Sequence, residues 1–484
     1  MYMSQDYSKL FKAYDIRGTF PLINSAIYYW SGYALVETIL KPENLPLIVN
    51  VMRDCRYTSP EFYQALCAGI KAAGGEPVLL GLGATDMLYA ACQLWNNPGA
   101  MVTASHNPKD DNGLKIVKKA PQMLGLSTGL DKIRDFVLAK IEENGDEVVF
   151  ESNLQEQDGL RNELLNYYQS KIESITDAAE SNRKLGSRSA KFKVVVDTAN
   201  GMGGLIMPVM QQIYPNVEFV PLYWELDGTF PNHPADPMVA DNMKDLQSAV
   251  LSHKADLGIA FDGDGDRVFF VDEKGENLNG EYLVALVAKY MVEAALNKPE
   301  LGFNPAVVYV VSYSRCLADT VLQAGGAAVV SKQGHTYIKS EMAKYNAIYG
   351  GEASGHHYFG EFGYMDSGAI MMAMMLKMLA ENSTQVSSLS DYYKDKYYVS
   401  GERNFRVGPE ISMDFVKKVV KQNYPDAVFN EMDGITLYYP LWKMTIRGSN
   451  TEPLLRINIE TKQNSPELNP DFKLAEIKQL LGIS

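Results

Sequence analysis

Apolar, β-branched runs recur along this chain, each ending in a polar or glycine-rich turn. PLIVNVMRDCR at 46–56 precedes SPEFYQALCAGIKAAGG, FKVVVDTANGMGG at 192–204 precedes LIMPVMQQIYP, and AVVYVVSYSR at 306–315 precedes LADTVLQAGG. Short runs of Val and Ile read as buried strands, and the stretches after them read as helices. Ser59 and Pro60 suit a helix start, and Gly74 with Gly75 suits a helix end. Strand followed by helix, repeated, builds α/β layers. The repeat distance is roughly a domain, too long for a solenoid. A chain of 484 residues has room for about three or four domains. We therefore read three successive α/β domains and a tail of different texture. The polar stretches KIEENGDEVVFESNLQEQDG and ENSTQVSSLSDYYKDKYYVSGE are the expected connections after the first domain and before the last.

Charge narrows the partners. Asp and Glu number 59 against 45 Lys and Arg, a net charge of -14. That argues against nucleic acid or an anionic membrane as a partner. An anionic substrate would need cations gathered locally. The four cysteines, Cys55, Cys67, Cys92 and Cys316, form no C-x-x-C pair, so neither a disulfide framework nor a zinc site is expected. The start, MYMSQDYSKLFKAYDIRG, has no apolar core of a signal peptide. GAIMMAMMLKMLA is too short for a membrane span and carries Lys377. The expectation is a soluble, reduced, cytoplasmic protein.

Six short motifs carry candidate chemistry. In DGDGDR, Asp262, Asp264 and Asp266 can aim three carboxylates at one spot while Gly263 and Gly265 let the chain bend. Three oxygen ligands suit Mg²⁺, and three carboxylates without a cation would repel one another. An EF-hand is excluded: its sixth position is Arg267, not glycine, and the flanks LGIAF and VFFV are strands. In RGSNTEPLLR, Arg447 can grip a phosphate, with Ser449, Asn450 and Thr451 adding donors; the alternative is a polar turn. GGEASGHHYFG alternates Glu352, Ser354 and His356, which share a face if extended and suit a polyhydroxy ligand. The alternative is a half-buried strand, and no third metal ligand is spaced beside the two histidines. KQGHTYIK places His335, and KAYDIRG places Tyr14 and Arg17, in loops; LGLGATD lacks the third glycine of a dinucleotide turn. In MVTASHNPKDDNGLKI, Ser105 has no G-x-S-x-G elbow, and His106 would point away from it if the segment is extended. A serine without a base can still carry a phosphoryl group. The Asp loop would supply its cation and Lys115 a donor.

Together TASHNP with NGLKI, DGDGDR, GEASGH and RGSNTEP, in this order, resemble the α-D-phosphohexomutase superfamily, nearest to bacterial phosphomannomutase and the dual phosphomannomutase/phosphoglucomutase. The resemblance spans KAYDIRG to RGSNTEPLLR. It implies four domains around a central cleft, three similar α/β domains with mixed sheets and a C-terminal α+β domain like the TATA-binding protein. We place them at 1–152, 153–256, 257–388 and 389–484, with the metal loop opening the third. The resemblance implies that Ser105 is phosphorylated and, with Asp262, Asp264 and Asp266, holds Mg²⁺. Arg17, Lys115 and His335 match positions handling charge and protons. Arg267, Tyr14, Glu352, Ser354 and His356 match substrate contacts, Glu352 and Ser354 meeting the hydroxyls at carbons 3 and 4. Arg447, Ser449, Asn450 and Thr451 match the loop that holds the phosphate not being transferred. The implied reaction interconverts hexose 6-phosphate and hexose 1-phosphate (mannose, glucose or both) through a hexose 1,6-bisphosphate, which also serves as activator. Sugar phosphates are the expected partners of a monomer or homodimer. One departure bears on substrate preference: Ser312 stands where many phosphomannomutases carry Lys or Arg. The rival readings are a phosphoglucosamine mutase, a metal-dependent sugar phosphatase and a sugar-phosphate-binding module.

Overall fold

The computed structural model describes residues 6–120, 122–151, 154–382, 385–408, 410–448 and 453–483. The chain divides into two compact units, Met1–Leu278 with Ser354–Ser387, and Asn279–Ala353 with Ser388–Ser484. Four domains make up the fold, three of them α/β and the last built on an antiparallel sheet.

The first sheet holds β1 (Ile16–Thr19), β2 (Ile48–Arg53), β3 (Glu76–Leu82), β4 (Gly99–Val102), β5 (Asp111–Lys119) and β6 (Gln122–Met123). Their order is β1-β5-β4-β2-β3, with β6 on β5. β2 runs parallel to β3 and β4, while β5 runs antiparallel to β4 and β1. All four residues of β4 are buried, which explains why GAMV is apolar without alternation. Helix Ser25–Ala34 starts at Asn24, whose side chain accepts the N–H groups of Ala26 and Ile27 at 3.1 and 3.2 Å. Beyond Val102 the chain leaves the carboxyl end of β4, the edge of an α/β sheet where ligand sites gather. The turn carrying Ser105 lies there.

The second sheet holds β7 (Lys193–Asp197), β8 (Glu218–Leu222), β9 (Leu257–Phe261) and β10 (Val268–Asp272), ordered β10-β9-β7-β8. β9 is buried throughout and pairs parallel with β7, Val194 opposite Leu257, and antiparallel with β10. The expected boundary before residue 257 is therefore corrected. A fully buried strand needs a partner on both edges, and β7 supplies one of them. The acidic loop, the turn between β9 and β10, belongs to the second domain's sheet.

The first unit is completed by the hairpin His357–Phe359 with Met365–Asp366 and by helix Gly368–Asn382. That helix buries nearly all its Met, Leu and Ile side chains against helices Asp158–Thr176 and Ala178–Gly186. Its uniform apolarity reflects burial in a protein core. Among the described residues no helix is long and apolar enough to cross a membrane.

In the second unit, strand Asn304–Val310 lies parallel between Ala327–Ser331 and Ala347–Gly351. The C-terminal antiparallel sheet includes Ile435–Tyr438, Trp442–Gly448 and Leu454–Thr461. Helices Met413–Asn423 and Pro470–Leu481 contribute Val416, Val420 and Ile477 to the core it forms with Ile446 and Ile457.

Candidate active site

Ser105 is not on extended chain. Its φ of 52° is left-handed, a conformation that costs an L-residue energy and persists only where its surroundings enforce it. Thr103 Oγ1 accepts its N–H at 2.9 Å, and Arg17 Nη1 donates to the Ala104 carbonyl at 2.6 Å. This turn corrects the expectation that His106 points away: His106 Nδ1 lies 3.3 Å from Ser105 Oγ and also contacts Arg267 Nη2. Burial, then the charges of Arg267 and Arg17, push His106 down to about 2, so its imidazole is neutral.

The acidic loop brings its three carboxylates together as its spacing suggests. One oxygen of each of Asp262, Asp264 and Asp266 lies within 4.8 Å of the others. Ser105 Oγ donates to Asp262 Oδ2 at 2.6 Å, and Arg267 Nη2 donates to Ser105 Oγ at 3.1 Å. Lys115 Nζ donates to Asp264 Oδ2 at 2.7 Å and Asp266 Oδ2 at 2.6 Å. Burial, then Asp264 and Asp266, push Asp262 up to about 7. Burial opposes the charge on Asp264 too, but Lys115, Thr85 and Arg17 outweigh it and hold that carboxyl well below the usual range. Burial likewise opposes the charge on Lys115, but Asp264 and Asp266 win, so it remains an ammonium.

These residues fit a divalent cation. Asp264 Oδ1 and Asp266 Oδ1 are buried with no hydrogen-bond partner among the described residues. Hard carboxylate oxygens in that state are the donors such a cation takes. Lys115 and Arg267 leave the three carboxylates short of charge balance. A phosphoserine would add nearly two more negative charges.

Sequence reasoning missed several partners. Thr85 donates through Oγ1 to Asp264 Oδ2 at 2.6 Å and through its N–H to the Asp264 carbonyl at 3.0 Å. His356 Nε2 lies 3.7 Å from Asp266 Oδ1 and 3.9 Å from Asp366 Oδ2, and these three residues form a second cluster with metal-ligand geometry. The expectation that no third ligand stands near the histidines is thus corrected. So is the extended reading of GEASGH. The strand ends at Gly351, Gly355 has a φ of 91°, and a β-bridge pairs His356 with Arg267. Ser354 Oγ lies 3.4 Å from His356 Nδ1. Thr85 is far in sequence from Asp264, and His356 and Asp366 are far from Asp266, so no local signal announces those partners.

The remaining expected residues fall as follows. Tyr14 is half-buried in the segment leading into β1. Glu352, His335 and Arg447 belong to the second unit. Glu352 is buried and accepts from Gln333 Nε2 at 3.1 Å; Gln333 Oε1 in turn lies 3.4 Å from Ser312 Oγ. His335 opens helix His335–Tyr345. Arg447 stands opposite Arg456 across two strands, and Glu402 accepts from both, at 2.7 and 3.0 Å. Arg456, the last residue of RGSNTEPLLR, is a second cation that sequence reasoning passed over. Ser449, Asn450 and Thr451 lie outside the described residues.

Comparisons with known proteins identify the family. Family models described as phosphoglucomutase/phosphomannomutase alpha/beta/alpha domains I, II and III match residues 8–143, 166–275 and 279–397. The second match includes the acidic loop. The chain is 36% identical over 483 residues to a Xanthomonas campestris pv. campestris protein named "Phosphohexose mutases", covering 97% of this chain and 98% of that one. It is 35% identical over 479 residues to a Vibrio cholerae phosphomannomutase, with coverages of 97% and 98%. Among solved structures, a phosphoglucomutase/phosphomannomutase family protein of Burkholderia thailandensis superposes with a TM-score of 0.76 at 26% identity, covering 98% of this chain and 96% of that one. With its serine turn, acidic loop and full-length likeness to these enzymes, the chain belongs to the phosphoglucomutase/phosphomannomutase family of phosphohexomutases.

Proposed function

We propose that this protein interconverts hexose 6-phosphate and hexose 1-phosphate, of mannose, glucose or both, by way of phosphorylated Ser105 and a hexose 1,6-bisphosphate. The observation that carries the reading is the Ser105 hydroxyl, buried 2.6 Å from Asp262 beside carboxylates whose charge is not balanced. In the first step the free sugar hydroxyl oxygen bonds to the phosphorus of phosphoSer105, the bond from phosphorus to the serine oxygen breaks, and the sugar's proton ends on that serine oxygen, restoring the hydroxyl that donates to Asp262 at 2.6 Å. The bisphosphate reorients, and its other phosphate returns to Ser105. Arg267, 3.1 Å from the serine oxygen, offsets charge there as the bond breaks. Lys115, which donates to Asp264 and Asp266 at 2.7 and 2.6 Å, brings a positive charge beside the transferring group. Asp262, Asp264, Asp266 and the phosphoserine would hold Mg²⁺, which supplies charge neutralisation at the transferring group.

The other roles in this reading are contacts with substrate. Glu352 and Ser354 take the hydroxyls at carbons 3 and 4, with His356 and Tyr14 beside them. Arg447, Ser449, Asn450 and Thr451 hold the phosphate that is not moving, and Arg17 and His335 serve the transferring one. The test is to offer mannose, glucose and glucosamine phosphates separately, each with a trace of its bisphosphate, and to measure isomerisation. Intact mass should show one phosphate on the wild type and none on Ser105→Ala, which should lose most activity. Free phosphate released in proportion to substrate loss would make the protein a phosphatase instead.

A further inference from the structure

Arg56 has no part in the chemistry described so far, yet it is the bulkiest of the fully buried side chains, with no exposed surface. A guanidinium is kept in such a place only when its charge and donors are matched. Here all five N–H groups are used. Nε donates to Asp54 Oδ2 at 3.1 Å. Nη2 donates to the carbonyls of Ser105 at 2.8 Å and Asn107 at 2.7 Å. Nη1 donates to the carbonyl of Asp111 at 2.9 Å and to that of Pro108. Four of the five bonds therefore go to the backbone of one turn, the turn that presents Ser105. The turn itself serves only the Pro108 carbonyl, which also accepts the Asp111 N–H at 3.0 Å, and Arg56 reaches all four from a planar fork.

Arg56 is itself clamped. Asp54 Oδ1 accepts its backbone N–H at 3.1 Å and the Ser59 hydroxyl at 2.5 Å. The ring of Phe230, from the loop after β8, covers the guanidinium with its centroid 5.1 Å from Cζ. That approach depends on Gly228, where a Cβ would come within 2.2 Å of the Cys55 carbonyl oxygen and 2.4 Å of Arg56 Cα. Gly263 of the acidic loop also approaches the Ser105 carbonyl, where a Cβ would meet that oxygen at 2.3 Å. The Ser105 peptide is thus approached by both Arg56 and the metal loop.

We propose that Arg56, clamped by Phe230, is the positioning residue that sets Ser105 for phosphoryl transfer. The inference rests on Ser105 being the phosphoryl carrier. Apart from Asp54, Arg56 bonds only carbonyl oxygens of the Ser105 turn, and with every N–H used none is left for a sugar, so it acts on the transfer rate and not on sugar binding. Arg56→Lys keeps the charge and loses the fork. Its kcat should fall about a hundredfold while KM for hexose 1-phosphate stays within about twofold of wild type. Phosphorylation of Ser105 by added hexose 1,6-bisphosphate, followed by intact mass, should slow by the same factor. Rates are referred to the fraction of protein that becomes phosphorylated. A purely structural Arg56 would lower that fraction and leave the rate per competent site unchanged, and that result overturns the proposal. So would a raised KM with wild-type kcat. If Arg56→Lys does not fold, Phe230→Leu decides: a kcat lowered about tenfold at unchanged KM supports the clamp, and wild-type kcat overturns it. Full activity of Ser105→Ala would be a different failure, that of the phosphoserine reading itself.

Discussion

Asp262, Asp264 and Asp266 sit within 4.8 Å of one another, yet each is held differently. Asp262 faces the Ser105 hydroxyl, Asp264 is paired with Lys115 and Thr85, and Asp266 shares Lys115 and faces His356. Burial opposes the charge on Asp264, but Lys115, Thr85 and Arg17 outweigh it and keep that carboxyl well below the usual range. Asp264→Asn removes that charge with little change of shape, so it isolates the electrostatic contribution. Turnover should fall on the order of a hundredfold, and more Mg²⁺ should be needed for half-maximal rate. Full activity of the wild type in excess chelator would refute the metal reading. The triad was legible in the sequence because its residues are contiguous and chemically unusual. Thr85, Asp366 and Arg56 were not, because each is an ordinary residue whose role comes from a neighbour far along the chain.

At the scale of elements, the site depends on backbones that nearly touch. The acidic loop is approached by Ser105 at Gly263, by Gly201 and by the first turn of helix Gly368–Asn382. A Cβ at Gly201 would stand 2.7 Å from the Gly263 carbonyl oxygen, and one at Gly368 would stand 2.6 Å from that of Gly265. Met202 and Thr85 donate their N–H groups to the Gly263 and Asp264 carbonyls at 2.9 and 3.0 Å. Gly263→Ala should therefore destabilise the protein by about 1–3 kcal/mol, because a backbone oxygen cannot yield as a side chain can. It should lower kcat by about a hundredfold, since Ser105 and Asp262 would be forced apart. Gly159, in helix Asp158–Thr176, has nothing within 4 Å of an added Cβ. Gly159→Ala should stabilise the protein by up to about 1 kcal/mol and leave activity unchanged. Thermal unfolding and steady-state kinetics of the two variants check the contrast. Equal effects would show that loop spacing is not what matters.

Over the whole molecule, the chain passes between its two units at 278–279, 353–354 and 387–388. The serine turn, the acidic loop, Arg17, Lys115 and His356 lie in the first unit, and Glu352, His335 and Arg447 in the second. The proposed reaction needs donors that hold a phosphate in either orientation of the bisphosphate. Among the described residues, Arg447 and Arg456 both pair with the carboxylate of Glu402, two cations on one anion. Arg447→Ala should weaken hexose 1-phosphate and hexose 6-phosphate by similar factors. Loss of a charged hydrogen bond costs on the order of 1.5–3 kcal/mol, roughly ten- to more than a hundredfold in binding. Kinetics in both directions decide it: impairment in one direction alone would mean that the loop is not a shared anchor.

The sequence by itself determined the α/β class and the family, and it put Asp262, Asp264 and Asp266 in one short loop. Strand periodicity, contiguous carboxylates and ordered motifs are local, and local patterns survive without coordinates. Only the tertiary structure decided that the acidic loop belongs to the second sheet, because strand pairing is a long-range choice: Leu257 finds Val194 across more than fifty residues. It alone put His106 beside Ser105 Oγ, since a left-handed φ at a serine has no signature in the sequence. It alone gave Arg56 its task, because the carbonyls that a buried guanidinium must satisfy are set by where the backbone folds, not by which residue carries them.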